Sequence, residues 1–347
     1  MDDRVSARLL EWYDAYARIL PWRSPPGGPV PDPYAVWLSE VMLQQTTVAA
    51  VIPYYHSFLA RWPDVGALAA APESDVMAAW AGLGYYSRAR NLIACARQVA
   101  ARGGFPDTEE ALRTLPGLGA YTAAALSAIA FGRRAVVVDA NVERVVARLF
   151  AIADPLPAAR PSIRSAANRI TPDHRAGDFA QAMMDLGATV CTSRNPRCTL
   201  CPVSGLCKAR ADGDPARLPV KAARKLRPER EGTAYWIERG GTVWVVRRAA
   251  KGMLGGMRAL PDNGWSAAGD GAAAPPLAGP WVAGGVVQHV FSHFALKLEL
   301  VVYSGADCSV SPTGEGEWWP LARLEEAGMP SVFAKAARLV MAERECV

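Results

Sequence analysis

The sequence has no long apolar run. No stretch approaches the roughly 18 consecutive apolar residues that a membrane-spanning helix requires. The N-terminal stretch MDDRVSARLL also lacks the basic and then apolar order of a secretory signal. We therefore expect a soluble cytoplasmic protein with no signal peptide and no membrane contact.

Long blocks of charge are absent as well. Charged residues make up 20% of the sequence and apolar residues 51%, which indicates packed structure rather than long disorder. The net charge is +5, and residues 1–210 hold 22 Lys and Arg against 18 Asp and Glu, whereas residues 233–347 hold 10 against 11. The positive first part suits contact with a polyanion, although a mildly basic surface explains it equally well.

Strand-like alternation is nearly absent before about residue 190. Apolar residues recur there at spacings of three and four, between gaps marked by proline and glycine. The pattern predicts helices over residues 6–20, 35–60, 74–80, 89–101, 109–115, 120–131, 141–151, 161–170 and 178–189. We therefore predict an all-α domain over residues 1–210.

The pattern changes after residue 210. Residues 211–232 are rich in Pro, Lys and Arg, which is typical of an interdomain linker. TAYWIERGGTVWVVRR then predicts two strands joined at Gly240 and Gly241, and WVAGGVVQHVF and ALKLELVVY predict further strands. With a final helix over residues 332–344, residues 233–347 form a smaller α+β domain.

Cysteine is scarce outside one loop. Cys191, Cys198, Cys201 and Cys207 are separated by six, two and five residues. In a chain without a signal peptide such a cluster indicates a metal site rather than a disulfide framework. Four thiolates can hold a single tetrahedral ion or an iron–sulfur cluster. Zinc is the rival, but zinc ribbons usually bring two C-x-x-C pairs and this loop has one.

A glycine turn leads into a helix in LPGLGAYTAAAL, residues 115–126. A helix N-terminus presents free N–H groups and a positive dipole end, which suits a phosphate oxygen. Gly117 and Gly119 would let that phosphate approach the main chain. An ordinary turn between helices explains the pattern equally well.

Two carboxylates adjoin apolar runs. Glu40 lies in AVWLSEVMLQQTTV, where burial would raise the pKa of the carboxyl and supply a general acid near neutral pH. A position on the solvent side of an amphipathic helix is the alternative. Asp139 lies between an apolar run and a new helix, and by itself it is most simply a helix N-cap.

Together these segments resemble the MutY-type adenine DNA glycosylases of the helix-hairpin-helix base-excision superfamily. The likeness covers nearly the whole chain and rests on LPWR, WLSEVMLQQT, GLGYYSRARNL, LPGLGAYTA, FAQAMMDLGA, the cysteine loop and FSHF. It implies a 4Fe-4S cluster on the four cysteines and a hairpin, with Leu115, Gly117 and Gly119, that grips DNA. The implied substrate is double-stranded DNA with adenine opposite 8-oxoguanine or guanine. We expect a monomeric, nucleoid-associated protein.

The resemblance also gives roles to the pocket residues. The target base must leave the stack, and its glycosidic bond breaks through an oxocarbenium-like state. Glu40 would protonate adenine and Asp139 would stabilise the sugar cation, with Asn141 and Tyr121 beside them. In the endonuclease III branch a lysine at this tyrosine position forms a Schiff base. Tyrosine therefore predicts little or no lyase activity, although by itself it suits simple packing.

Further residues match contacts to the substrate. Gln45 and Tyr85 resemble residues that wedge into the base stack, and Tyr85 alone would suit a core aromatic. Ser292 and His293 resemble the loop that reads 8-oxoguanine. The residues that match positions near the adenine pocket are Arg18, Trp22, Arg23, Leu43 and Gln181.

The second domain also resembles Nudix hydrolases. Their metal-binding Arg-Glu pair is replaced here by Leu321 and Ala322. We therefore expect recognition of a base without nucleotide hydrolysis. The alternatives for the whole chain are a bifunctional glycosylase-lyase, a non-catalytic DNA-binding module, and a helical protein stapled by zinc.

Overall fold

The structure is a computed structural model of the chain. It describes residues 2–222, 227–249, 252–291, 293–305 and 311–345. The chain forms two compact units, Met1–Arg224 and Lys225–Val347. The division falls inside the predicted linker of residues 211–232. No helix within the described ranges is both long and apolar enough to cross a membrane.

The first unit is helical, as expected. Its helices are α1 Asp2–Tyr16, α2 Pro33–Leu43, α3 Val48–Arg61, α4 Val65–Ala70, α5 Glu73–Ala79, α6 Ser87–Ala101, α7 Glu109–Leu112, α8 Ala120–Phe131, α9 Ala140–Phe150, α10 Arg160–Ile170, α11 Ala176–Thr189 and α12 Lys208–Ala211. At its centre α8, rich in alanine, is buried on every side and contacts α2, α7 and α11. Small side chains allow these neighbours to approach closely, which brings three helix ends to one place.

The single helix predicted over residues 35–60 is wrong. The chain breaks it after α2, and Gln45 takes a positive φ of 58°. Thr47 then caps α3, because its side chain accepts a hydrogen bond from the N–H of Ala50. Apolar periodicity continues across the break and hid it. The result is an exposed turn, residues 44–47, at the end of the helix that carries Glu40.

The start of α9 is fixed by Asp139. Its Oδ1 accepts a hydrogen bond from the N–H of Val142 at 2.7 Å, so the N-cap interpretation is confirmed. The same helix packs against α11, where Gly187 allows close contact with Asn141. The Asp139 cap and the contact between Asn141 and Gly187 thus both fix the orientation of the first turn of α9.

Part of the predicted linker packs against the first unit. Leu218 is 2% exposed, and its carbonyl accepts a hydrogen bond from Nε of Arg148 at 2.9 Å. The N–H of Leu156 donates to the carbonyl of Val220 at 2.8 Å. Leu218 and Val220 therefore hold this stretch on the helices. The Lys and Arg content had indicated a linker instead.

The second unit is α+β, as expected. Its strands are β1 Glu229–Trp236, β2 Glu238–Arg239, β3 Thr242–Arg247, β4 Arg258–Ala259, β5 Trp281–Val290, β6 Ala295–Tyr303 and β7 Gly316–Pro320, followed by α13 Ser331–Glu345. One sheet has the order β1-β6-β5, with β1 parallel to β6 and β5 antiparallel to it. The other has the order β2-β3-β4, with β7 also paired to β3. A buried core that includes Trp236, Trp265 and Phe333 joins strands and α13.

The predicted hairpin at Gly240 and Gly241 is correct only for its tip. Both glycines have positive φ, 54° and 74°, as a tight two-residue hairpin requires. The strand paired with β3 there is the short β2, whereas the long β1 pairs with β6 in the other sheet. The alternation of apolar residues shows which face of a strand is buried. It does not show which neighbouring strand pairs with it.

The close contact between α9 and α11 makes a stability prediction. A Cβ on Gly187 would lie 2.6 Å from Cβ of Asn141 and 3.1 Å from its Cα. We expect Gly187→Ala to lower the free energy of unfolding by about 1–3 kcal/mol despite the better helix propensity of alanine. Urea unfolding followed by helical circular dichroism measures this.

Gly205→Ala is the matched control, because its Cβ would meet only Arg8 Nη1 at an ordinary 3.8 Å. Equal stability of the two variants would contradict the prediction.

Candidate active site

A cavity of about 900 Å³ lies in the first unit, where α2, α8, α9 and α11 meet. It collects nearly all the residues predicted for the pocket. Those lining it are Arg18, Trp22, Arg23, Glu40, Leu43, Gln45, Tyr121, Asp139, Asn141 and Gln181. Residues far apart in sequence therefore form one site, of the size that small-molecule sites have.

Glu40 is buried, so the alternative of a solvent-facing position on α2 is wrong. It is 6% exposed, and burial raises the pKa of its carboxyl to about 7. The hydroxyl of Tyr121 donates a hydrogen bond that opposes this rise, the negative charge of Asp139 adds to it, and the guanidinium of Arg23 opposes it. The carboxyl can therefore hold a proton near neutral pH and release it to a ligand.

Tyr121 lies in the first turn of α8, with its hydroxyl inside the cavity. The hydroxyl contacts Glu40 and lies 3.4 Å from Sδ of Met184. Burial, with the nearby carboxylates of Glu40 and Asp139, raises the pKa of this phenol well above its ordinary value. It remains a neutral hydrogen-bond donor and cannot supply the amine that a Schiff base needs.

Asp139 is held in place by more than its capping bond. Its Oδ2 accepts a hydrogen bond from Nδ2 of Asn141 at 2.9 Å. Burial raises the pKa of the Asp139 carboxyl, and the hydrogen bonds from Val142 and Asn141 oppose the rise because they favour the carboxylate. Arg144 fixes Asn141 in turn, since its Nη2 donates to Oδ1 of Asn141 at 2.8 Å.

A buried acid on α11 holds two of the predicted pocket arginines. Asp185 is fully buried, and its carboxylate accepts hydrogen bonds from Nε of Arg18 at 2.6 Å and from Nη1 of Arg23 at 2.7 Å. The main-chain N–H of Arg18 donates to it as well. Trp22, between the two arginines, packs edge-on against Tyr55. Three hydrogen bonds to one buried carboxylate therefore join the residues of this wall of the cavity.

The glycine turn before α8 packs tightly at Gly117 and leads into a helix start that no side chain caps. Gly117 has a φ of 77°, and a Cβ there would lie 2.8 Å from Cβ of Asn91. Gly119 is the N-cap of α8 with no side-chain cap, so N–H groups of the first turn remain available. The side chain of Leu115 is buried, which restricts its predicted role to the main chain.

The two predicted wedge residues share an unusual backbone. Gln45 is exposed beside the cavity, and Tyr85 is 50% exposed, so the core-aromatic alternative for Tyr85 is wrong. Both have positive φ, 58° and 49°, which costs free energy for a residue with a side chain. Tyr85 does not line the cavity itself.

Several of the predicted residues belong to the second unit. Ser292 lies outside the described residues. His293 is exposed in the connection between β5 and β6. Leu321 and Ala322 begin a short 3-10 turn, Leu321–Ala327. Neither of these two side chains can bind a metal ion.

The four cysteines line one small cavity below α9. Arg148 contacts two of them: its Nη1 lies 3.3 Å from Sγ of Cys191, and its carbonyl accepts from Sγ of Cys207. Four thiolates at one small cavity are the donor set that an iron–sulfur cluster would take.

Three family models match the chain. The HhH-GPD superfamily of base excision DNA repair proteins matches residues 38–167, and the iron-sulfur binding domain of endonuclease III matches residues 191–207. The NUDIX domain matches residues 233–339. A helical base-excision unit with an iron–sulfur loop, followed by a Nudix-like unit, is therefore the class that the fold and site define. The 4Fe-4S cofactor and the expected fold class are confirmed.

Known relatives show to which family within this class the chain belongs. An adenine DNA glycosylase of Homo sapiens is 38% identical over 310 residues, which cover 74% of this chain and 57% of the relative. One of Mycolicibacterium smegmatis is 43% identical over 210 residues, 60% of this chain and 70% of the relative. The solved structure of a thermostable thymine-DNA glycosylase aligns with a TM-score of 0.54 at 29% identity, covering 60% of this chain and 97% of that one. The chain belongs to the adenine DNA glycosylase family.

Three charged residues that contact predicted site residues were not identified from the sequence. Asp185, Arg144 and Arg88 are buried or half-buried charged groups that hold the predicted residues in place. A signal existed for Asp185, an acid within the apolar run FAQAMMDLGA like Glu40 in its own run. Nothing in the sequence marked Arg144, whose spacing fits the solvent face of α9.

The raised pKa of Glu40 makes a prediction about stability. The folded carboxyl holds its proton more tightly than the unfolded one, whose pKa is 4.5, so the cost of its burial is absent well below pH 4.5, grows between pH 4.5 and about 7, and is constant at higher pH. Glu40→Gln removes the charge. We compare the free energy of unfolding of this variant with that of the parent. The difference, in favour of the variant, should grow by about 2–3 kcal/mol between pH 5 and pH 8.

Urea unfolding at several pH values checks this. Glu11→Gln, at an exposed position of α1, is the matched control and should show no such growth. A stability difference that is the same at both pH values would contradict a pKa near 7.

Proposed function

We propose that the protein is a monofunctional adenine DNA glycosylase that removes adenine mispaired with 8-oxoguanine or guanine in double-stranded DNA. One observation carries the proposal: a buried carboxyl with a pKa near 7 shares a cavity with a second, hydrogen-bonded carboxylate and with no amine nucleophile at position 121. The human relative is named an adenine DNA glycosylase, which supports adenine as the base.

The two carboxylates divide the work. Protonated Glu40 donates to a ring nitrogen of the extruded adenine, which turns the base into a better leaving group. Asp139, fixed by Val142 and Asn141, faces the sugar and stabilises the positive charge that develops there. Water then completes hydrolysis. Tyr121 orients Glu40 through its hydroxyl.

Binding uses other parts of the chain. The N–H groups at Gly117 and Gly119 hold a backbone phosphate, and Gly119 leaves room for it, because a Cβ there would meet no atom within 4 Å. Gln45 and Tyr85 replace the stacking that is lost when adenine leaves the duplex. Ser292 and His293 of the second unit read the opposite base. The iron–sulfur cluster on the cysteine loop has a structural and DNA-docking role.

Product analysis tests the proposal. A duplex with one 8-oxoguanine:adenine pair is incubated with the protein, and half of the product is treated with alkali. We expect strand cleavage only after alkali, because Tyr121 cannot form a Schiff base. Glu40→Gln and Asp139→Asn should each slow adenine release about 10²-fold or more while mispair binding remains.

Cleavage in the untreated half would indicate a lyase nucleophile and the bifunctional alternative. No release by the parent protein with its cluster intact would favour the DNA-binding module. Normal release by both carboxylate variants would remove Glu40 and Asp139 from the mechanism.

The pH dependence gives an independent test. Since the acid must be protonated, the single-turnover rate should be level in mild acid and fall above about pH 7, following the raised pKa of Glu40. The hydroxyl of Tyr121 lowers that pKa, so Tyr121→Phe should move the fall to higher pH. A profile that does not move in this variant would show that the phenol does not act on Glu40.

A further inference from the structure

Arg88, in the first turn of α6, has an unusual set of partners. Its side chain is buried, and the residue is 8% exposed. Among the described residues it forms no ion pair; its hydrogen bonds go to carbonyl and hydroxyl oxygens instead. Nη1 donates to the carbonyls of Val41 and Met42, both at 2.9 Å. These carbonyls belong to the last turn of α2, directly after Glu40.

The other nitrogen of the fork reaches two more segments. Nη2 donates to Oγ1 of Thr46 at 3.2 Å, in the exposed turn that contains Gln45. It also donates to the carbonyls of Leu83 and Gly84 at 3.1 and 3.3 Å. One planar guanidinium thus binds main-chain carbonyls before Gln45 and before Tyr85, and the side-chain hydroxyl of the residue after Gln45.

The same guanidinium stacks on the second wedge residue. Its Cζ lies 5.4 Å from the ring centre of Tyr85 and 5.2 Å from that of Trp80. Trp80 also donates from Nε1 to the carbonyl of Gly84 at 3.0 Å, which fixes the turn from a second direction. A cation held under an aromatic ring limits the positions that the ring can take.

Burying the guanidinium of Arg88 costs desolvation free energy, so these contacts are a poor way to stabilise the fold alone. Burial lowers the pKa of Arg88, and its Nε is buried without a hydrogen-bond partner. An apolar side chain of similar volume would fill the space without that desolvation. What it could not do is join two turns whose wedge residues, Gln45 and Tyr85, both have a positive φ.

We propose that Arg88 is a positioning residue that locks the turns of Gln45 and Tyr85 together, so that both side chains enter the base stack as one unit. The proposal rests on the proposed function in assigning these two side chains to the duplex. Arg88 itself touches neither substrate nor Glu40. Its loss therefore affects extrusion of the base and leaves the acidity of the catalytic carboxyl unchanged.

The first test measures unstacking apart from chemistry. A duplex carries 2-aminopurine beside 8-oxoguanine, which is paired with a 2′-fluoro adenosine that resists hydrolysis. Arg88→Lys keeps the charge and loses the planar fork. When the duplex is saturated with this variant, we expect the rise in 2-aminopurine fluorescence to be at least fivefold smaller than with the parent protein. Arg97→Lys, exposed on the same helix, is the matched control and should equal the parent.

The second test measures coupling between the two wedge residues. Single-turnover rates on the 8-oxoguanine:adenine duplex are compared for Gln45→Ala, Tyr85→Ala and the double variant, with and without Arg88→Lys. In the parent background we expect the combined effect to differ at least threefold from the product of the single effects. With Arg88→Lys the effects should multiply.

The outcomes separate the possible roles. A fall in rate with its pH dependence unmoved and the coupling lost supports the proposal. A displaced pH profile with full unstacking would show that Arg88 acts on Glu40 through the end of α2. Coupling between Gln45 and Tyr85 that is unchanged by Arg88→Lys would overturn the proposal. If the parent releases no adenine, the proposed function fails, whereas the fluorescence test still reports on the lock.

Discussion

The structure depends on one unfavourable event, the burial of the Glu40 carboxyl in a helical core. The phenol of Tyr121, the carboxylate of Asp139 and the guanidinium of Arg23 act on its pKa, and their effects have opposite signs. If the hydrogen bond from Tyr121 and the charge of Arg23 were stronger, the group would be an ordinary anion. If they were absent, it would hold its proton too tightly to release it. Its usefulness as an acid comes from this balance.

The balance is maintained by groups that do not take part in proton transfer. Asp185 is the counter-ion of Arg23, so the field of this arginine at Glu40 is that of a pair rather than of a lone cation. Arg144 holds Asn141, and Asn141 holds Asp139. Arg144 also donates to the carbonyl of Gly187 on α11, so this chain of contacts depends on the close packing of α9 and α11.

Sequence predicted much of this, for identifiable reasons. The cysteine spacing and the glycine turn are local features, because a few adjacent residues specify them. Asp139 could be found as a cap, and the structure gives it a place in the cavity as well, so the two interpretations of that residue do not compete. Periodicity placed most helices, but it ran across the turn at Gln45, because that turn is set by backbone angles and a capping threonine rather than by apolar spacing.

The arginines show where sequence reasoning reaches its limit. Arg23, Arg88 and Arg148 are all largely buried, yet only the first pairs with a carboxylate among the described residues. Whether an arginine on a helix faces solvent or a neighbouring loop depends on tertiary contacts that spacing does not encode. The same i, i+3 and i+4 pattern is compatible with both.

Buried arginines also explain how an all-helical unit can hold precise loops. A sheet fixes its connections through ladder hydrogen bonds, whereas a loop between helices leaves carbonyl groups without partners. Arg148 donates to the carbonyls of Thr192 and Ser193 in the cysteine loop and to that of Leu218 beyond it. Arg88 does the same for the two turns beside the cavity. With five donors in one plane, a guanidinium can join segments that share no other backbone contact. The helices supply the core, and these side chains fix the loops that meet the substrate.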